Sequence, residues 1–179
     1  MIYPIVAYGD PILRKKAAAI EEKANVKQLI VDMFETMGQA KGVGLAAPQI
    51  GKSIRLFVID VSPFFNDAYK KVFINPLRID ESGELWKYEE GCLSIPDVRI
   101  DVTRKDKINI SYFDEDWNKK KEEFTGVIAR VIQHEYDHLE GMLHVDYASP
   151  LRKKSLKSEL SAISNGKVEV AYKMSFPSS

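Results

Sequence analysis

The sequence predicts an α+β fold, in which antiparallel or mixed strands pack around one central helix, with a C-terminal helix and a short terminal strand. Two observations carry this prediction. The strand-like segments lie together in the middle of the chain, and the helical segment that holds His134 and His138 follows them. Runs of strands followed by helices are typical of α+β folds, whereas regular alternation would favour a parallel sheet. The chain has 179 residues and is 45% hydrophobic, enough for one core, so we predict a single domain over residues 1–179.

The first helix has the clearest pattern. Apolar residues recur at helical spacing between Val26 and Met37, Asn25 is a suitable N-cap, and Gly42 lies beyond the end. Residues 42–49 then read GVGLAAPQ, and their glycines and small side chains suit a backbone that approaches a ligand or another strand closely. Taken alone, the same segment favours a tight turn.

Four short segments have the patterns of strands. Residues 54–59 and 72–74 are apolar runs, and an Asn-Pro dipeptide closes the second. Residues 108–112 alternate apolar and polar side chains. A polar turn then leads into the charged segment 119–124, which we predict to be a solvent-facing strand paired with the one before it.

Two further helices follow the strands. The histidine-bearing helix begins near Thr125, a suitable N-cap, and stops at Gly141, a residue type that readily takes the left-handed conformation of a helix end. Ser149 and Pro150 open the next helix, because a capping residue followed by proline is typical of a helix start. After an Asn-Gly turn, residues 168–174 alternate as a strand does.

The histidines form the most informative motif. His134 and His138 are four residues apart, so on a helix both imidazoles lie on one face and can bind one ion. Glu135 follows the first of them and is placed to reach a water on that ion. A single histidine on an apolar face is more often a core residue than a ligand, but this His-Glu-x-x-His pattern in a chain with three histidines favours a metal. We therefore predict that the central helix is a metal-binding helix.

The residues alone leave the third ligand open. His144 would complete the pattern His-Glu-x-x-His-x-x-Gly-x-x-His, which is the signature of metzincin proteases. Those proteases also need a methionine-bearing turn below the metal, and Met142 and Met174 are poor candidates for it. Cys92, the only cysteine, would instead give a site of two imidazoles and one thiolate. The two answers correspond to different enzymes.

Three segments together resemble a known family. Residues 42–49 (GVGLAAPQ), 90–94 (EGCLS) and 133–141 (QHEYDHLEG) are similar to the three motifs of the peptide deformylases, in that family's order. The family's residue at the position of His144 is usually apolar or aromatic, so His144 departs from the pattern and creates the protease-like signature.

This resemblance implies a function. Peptide deformylases cleave N-formylmethionyl peptides to formate and a free amino terminus, and they use one ferrous ion, Fe2+, for which Zn2+, Ni2+ or Co2+ can substitute. The implied metal ligands are Cys92, His134 and His138, with a water in the fourth position. The implied catalytic groups are Glu135 as general base, together with Gln49 and the Leu93 backbone N–H as donors to the formyl oxygen.

The resemblance also implies substrate-binding residues. Val43 and Gly44 would lie at an edge where the peptide adds as a strand. The methionine side chain would enter an apolar pocket formed by Val43, Val127 and Val131. Glu90 and Arg99 either support the metal site and orient the substrate or form an ordinary ion pair.

Two other functions remain possible from the residues. The first is a metalloendopeptidase that binds its ion through His134, His138 and His144. The second is a metal-dependent binding module without turnover, although a structural module has no need for Glu135.

Charge and composition limit the classes of binding partner that we expect. Lys and Arg together number 26, as do Asp and Glu, so no overall basic field attracts nucleic acid, and we expect no DNA partner. The first residues show no signal-peptide pattern and no stretch is long enough to span a membrane, so we expect a cytoplasmic protein without a membrane partner. The C-terminal helix has a basic side that is either a solvated face or a docking site for an acidic partner such as ribosomal RNA, formed by Arg152, Lys153, Lys154 and Lys157.

Overall fold

The computed structural model describes residues 1–65 and 68–177 of the chain. Its elements are three helices, seven strands and several short 3-10 turns. The helices are α1 (Lys27–Gln39), α2 (Gly126–Leu139) and α3 (Pro150–Ser164). The strands are β1 (Ile5–Val6), β2 (Gly44–Ala46), β3 (Leu56–Asp60), β4 (Lys70–Cys92), β5 (Ile95–Phe113), β6 (Lys119–Thr125) and β7 (Met174–Ser175).

The strands form one antiparallel sheet and one small parallel pair. The sheet has five strands in the order β2-β3-β4-β5-β6, and each neighbouring pair is antiparallel. Separately, β1 pairs with β7 in parallel. The long strands β4 and β5 are joined by a two-residue turn, with Cys92 paired to Ile95 across it. This arrangement confirms the predicted α+β class.

The alternation of side chains along β3 explains why helices cover both faces of the sheet. Phe57 and Ile59 point to the face that packs against α2, whereas Leu56 and Val58 point to the face that packs against α1. All four side chains are fully buried. The apolar run predicted at residues 54–59 is therefore a strand buried on both sides, and α2 lies in the centre of the fold.

The ends of α2 and α3 follow the predicted signals. Thr125 is the N-cap of α2, and Gly141 lies just past its end with φ of 75°, a left-handed conformation that favours glycine. A Cβ atom at Gly141 would also collide with the backbone of Arg14. At α3, the Ser149 hydroxyl accepts a hydrogen bond from the Arg152 N–H at 3.2 Å. The helix α1 differs slightly from prediction, because it begins at Lys27.

Two strand predictions are wrong in extent. The segment at residues 72–74 does not end at Asn75 and Pro76 but continues through an irregularity as β4. Asn75 takes a left-handed φ of 46°, and its side-chain amide exchanges two hydrogen bonds of 2.8 Å with the Ile20 backbone, which stabilises the irregularity. The alternating segment 168–174 is mostly irregular, because β1 offers pairing only to Met174 and Ser175.

The glycine-rich segment 42–49 forms β2 and the start of a short 3-10 turn. A Cβ atom at Gly42 would meet the Leu93 side chain at 2.8 Å, and one at Gly44 would collide with the Glu135 carboxylate. Close approach to neighbouring groups, and not a tight turn, is therefore the reason for its glycines. Among the described residues, no helix is both long and apolar enough to cross a membrane.

Candidate metal centre

The end of β4 and one face of α2 bring three potential metal ligands together. Cys92 is the last residue of β4, and His134 and His138 lie one helical turn apart on α2. One ligand atom from each residue lies within 4.8 Å of the others, and the Cys92 Sγ is 3.4 Å from the His138 Nε2. Two imidazoles and one thiolate are a donor set that suits zinc, iron, nickel or cobalt. The residues present therefore fit a single transition-metal ion.

His144 is engaged elsewhere. Its Nε2 donates a hydrogen bond to the Val98 carbonyl at 3.0 Å, and its ring centre is 5.9 Å from that of His134. Burial, with a smaller contribution from His134, lowers the pKa of His144 to about 4, so the ring is neutral near pH 7. Among the described residues, the cluster able to hold an ion contains Cys92 and not His144. This geometry supports the two-histidine, one-thiolate alternative.

Glu90 orients the first histidine. Its Oε1 lies 2.9 Å from Nδ1 of His134, deep in the protein. Because an ionised carboxylate only accepts hydrogen bonds, Nδ1 carries the proton and Nε2 is left to bind a cation. Burial alone would raise the pKa of Glu90, but the hydrogen bonds from His134 and Arg104 outweigh it and hold that pKa well below its usual range. The carboxylate is therefore ionised at all physiological pH values.

Two buried guanidinium groups neutralise Glu90. Arg104 donates to both carboxylate oxygens, at 2.8 and 3.1 Å, and Arg130 donates to Oε2 at 2.8 Å. Arg104 also donates to Asp137 at 2.9 Å. Buried charges are tolerated only when they are paired, and each charged group of this cluster has an oppositely charged partner.

Arg130 belongs to this cluster but is not among the site residues predicted from the sequence. Its side chain is 2% exposed and lies over the ring of Trp86, with its guanidinium carbon 4.7 Å from the ring centre. A signal was present in the sequence: Arg130 precedes His134 by four residues, so the two share the buried face of α2. A cation on such a face requires a buried anion, which Glu90 supplies.

Glu135 is the acid or base candidate. It is 4% exposed, and burial, augmented by Glu90 and Asp137 and opposed by His134, raises its pKa to about 7. One of its oxygens, Oε2, has no hydrogen-bond partner among the described residues. A carboxyl group with a pKa near neutrality can accept and return a proton in one reaction cycle.

Gln49 has its amide orientation fixed by the backbone. The Ala46 N–H donates to Oε1 of Gln49 at 2.9 Å, so the NH2 group points the other way, toward the candidate ligands. That group lies 3.2 Å from the Ser94 hydroxyl and 3.5 Å from the Cys92 Sγ. Through the bond from Ala46, the Gln49 side chain braces the segment after β2. It can also take part in catalysis, since the Cys92 sulfur is a weak acceptor that a substrate oxygen can replace.

A cavity of about 510 Å³ opens beside these groups. It borders every predicted site residue except His138. Arg99 lies exposed at its rim against Gly91, and it is not the ion-pair partner of Glu90. The cavity is also lined by residues that the sequence did not indicate, namely Phe64, Tyr88, Arg130 and the segment 169–172. The last of these comes from the tail after α3, which no motif connects with the site.

The chain also matches known proteins in sequence. The family model of polypeptide deformylase matches residues 2–154. A peptide deformylase of Cytophaga hutchinsonii is 54% identical over 181 residues, which cover 99% of this chain and 98% of that relative. The chain belongs to the peptide deformylase family. This membership confirms the resemblance inferred from the three motifs, and it identifies the chain as a metal-dependent hydrolase.

Solved structures of the family share the fold. A peptide deformylase from Legionella pneumophila superposes with a TM-score of 0.83 at 38% identity, covering 93% of this chain and 98% of that one. The corresponding values for the enzyme of Thermotoga maritima are a TM-score of 0.76, 43% identity, and 84% and 99% coverage. The deformylase fold therefore extends over most of the chain.

The Glu90 cluster leads to a prediction about stability and metal affinity. We expect Glu90→Gln to destabilise the protein by about 3–5 kcal/mol, because it leaves buried guanidinium groups without their anion. The metal affinity should fall by roughly 10–100-fold, because His134 loses the partner that fixes its ring. Urea unfolding and competition with a chelator measure the two effects.

Glu123→Gln is the matched control. Its ion pair with Lys107 is exposed and 3.8 Å long, so its loss should cost at most about 1 kcal/mol. Equal stability of the two variants would contradict the role given to Glu90.

Proposed function

We propose that the chain removes the formyl group from N-formylmethionyl peptides through the cavity beside α2, releasing formate. The observation that carries the proposal is the position of Glu135. A buried carboxyl group with a pKa near neutrality lies on the same helix as two candidate metal ligands and borders the same cavity as the third. Membership of the deformylase family gives the chemistry that this arrangement supports.

Cys92, His134 and His138 are the proposed ligands of one Fe2+ ion, for which Zn2+, Ni2+ or Co2+ can substitute. The ring of His134 supports this assignment, because Glu90 binds its Nδ1 and leaves Nε2 available. When bound, a divalent ion of this kind lowers the pKa of water and polarises a carbonyl oxygen.

The proton transfers are assigned to Glu135. Its carboxylate accepts a proton from the water that attacks the formyl carbon. As the carbon–nitrogen bond breaks, the same group gives the proton to the departing amine, so that formate and a free amino terminus result. Gly44 makes this position accessible, since any larger residue there would displace the carboxylate.

Negative charge develops on the formyl oxygen during the attack. The proposed donors to this oxygen are the Gln49 amide, which lies 3.5 Å from the Cys92 Sγ, and the backbone N–H of Leu93, the residue that follows Cys92. Ala46 fixes the direction of the Gln49 amide before substrate arrives, which is the preorganisation that stabilises a developing oxyanion.

The substrate peptide is proposed to lie along β2. This strand is at the edge of the sheet and pairs only with β3, so Val43 and Gly44 can take an extended peptide as an added strand. Val43, Val127 and Val131 offer the apolar part of the cavity to the methionine side chain. Arg99, at the rim, is proposed to orient the rest of the peptide.

A pair of substitutions tests the ligand set. We expect Cys92→Ala to lose the bound metal, because it removes one of three ligand atoms, and His144→Ala to keep it. Metal content after dialysis, measured by elemental analysis, gives the readout, and circular dichroism checks that each variant is folded. Retention of the ion in Cys92→Ala together with its loss in His144→Ala would favour the three-histidine site instead.

A second prediction concerns the oxyanion donors. With formyl-Met-Ala-Ser as substrate, we expect Gln49→Leu to lower kcat by about 10²–10³, the usual cost of one oxyanion donor. The metal content should stay unchanged, because Gln49 is not a ligand. If kcat is normal, Gln49 only braces the segment after β2.

The basic side of α3 supports a further proposal, that the enzyme meets nascent chains in the cytoplasm by docking on ribosomal RNA. Arg152, Lys153, Lys154 and Lys157 are all exposed. Changing all four to Gln should abolish most co-sedimentation with ribosomes at low salt, because contacts with phosphate are electrostatic.

The control variant changes Lys119, Lys120 and Lys121 of β6 to Gln, which removes charge from a different face. If the α3 variant sediments with ribosomes as well as the unmodified enzyme, α3 is only a solvated helix.

A further inference from the structure

The segment between α3 and β7 forms a wall of the cavity. After Gly166, which turns the chain with φ of 71°, residues 169–172 border the cavity that holds Glu135 and Cys92. The segment is anchored at its far end by β7. There the Ile5 N–H donates to the Lys173 carbonyl and the Ala7 N–H donates to the Ser175 carbonyl, both at 2.8 Å.

Tyr172, in this segment, contacts the turn that joins β4 to β5. Its hydroxyl donates a hydrogen bond of 2.7 Å to the Leu93 carbonyl. The same turn is held at Ser94 by two other groups. The Tyr8 N–H donates to the Ser94 carbonyl at 2.9 Å, and the Gln49 amide donates to the Ser94 hydroxyl at 3.2 Å.

These bonds bear on the direction of the Leu93 N–H. The N–H and the C=O of one residue are separated only by its two soft backbone dihedral angles. The pairing of Cys92 with Ile95 fixes the two strands that flank the turn. The bond from Tyr172 fixes the carbonyl of Leu93 itself, and so limits the backbone rotations that would change the direction of its N–H.

We propose that Tyr172 is a positioning residue for the reaction: from the C-terminal segment, its hydroxyl holds the turn in the orientation that aims the Leu93 N–H at the formyl oxygen. This inference rests on the proposed function, in which the Leu93 N–H is an oxyanion donor. Tyr172 itself touches neither the ligand atoms nor the reacting bond in this assignment. Its role is to reduce the reorganisation that the turn would otherwise undergo in the transition state.

Tyr172→Phe tests the inference in the full-length, metal-loaded enzyme, because it removes the hydroxyl and keeps the ring. With formyl-Met-Ala-Ser, we expect kcat to fall about three- to tenfold, the range for one hydrogen bond. KM should stay within roughly twofold, because the contact matters mainly in the transition state. Amide hydrogen exchange, followed by NMR, should become faster at Leu93 and Ser94.

Tyr112→Phe is the matched control. The Tyr112 hydroxyl also donates a hydrogen bond, to Glu122 at 3.0 Å, but it lies on β5 and does not border the cavity. This variant should lose thermal stability to a similar extent while kcat and the exchange of the Leu93 amide stay unchanged.

Three outcomes distinguish failure of the inference alone, a general effect on stability, and failure of the proposed oxyanion contacts. Unchanged kcat and unchanged exchange in Tyr172→Phe, together with the expected defect in Gln49→Leu, would overturn the inference and leave the proposed function standing. An equal loss of kcat in Tyr172→Phe and Tyr112→Phe would show a general effect of stability and would also overturn it. A normal kcat in both Gln49→Leu and Tyr172→Phe would overturn the proposed oxyanion contacts and the inference with them.

Discussion

The buried carboxylate of Glu90 is the interaction on which the rest of the site depends. It lies on β4, and its partners are Arg104 on β5 and both Arg130 and His134 on α2. Three elements are therefore fixed relative to one another by one ionised group. Removal of such a charge from water costs several kcal/mol, and only the full set of partners offsets that cost. The geometry of the candidate metal site is thus a property of the core and not only of the candidate ligand residues.

The same cluster determines a geometric detail that the sequence motif leaves open. His-Glu-x-x-His specifies that two imidazoles share a helix face, but it does not specify which nitrogen of each ring faces the ion. For His134, the hydrogen bond from Nδ1 to Glu90 makes that choice. The neutral ring of His144, bound to the Val98 carbonyl, lies close by without joining the ligand cluster. A local pattern that resembles a protease signature therefore lies within a deformylase framework.

Much of the fold and of the site could be predicted from local sequence. The limits of α2 follow from Thr125 and Gly141, and the face of the ligands follows from the spacing of the histidines. The anion that pairs with Arg130 could not be predicted, because Glu90 is 40 residues away in sequence. The passage of β4 through Asn75 depends on a bond to Ile20, which is equally non-local. Secondary-structure propensity depends on a residue and its neighbours in sequence, whereas these features depend on contacts between distant segments of the chain.

The placement of residues 169–172 in the cavity wall has a consequence for how the enzyme matures. During translation a domain emerges amino end first, and its early elements can begin to fold while later ones are still enclosed by the ribosome. The sheet and the helix that carries the candidate ligands are complete by Leu139, but the parallel pairing of β1 with β7 has to wait for Ser175. The cavity wall is thus completed only after the sheet and the helix that carries the candidate ligands have been translated.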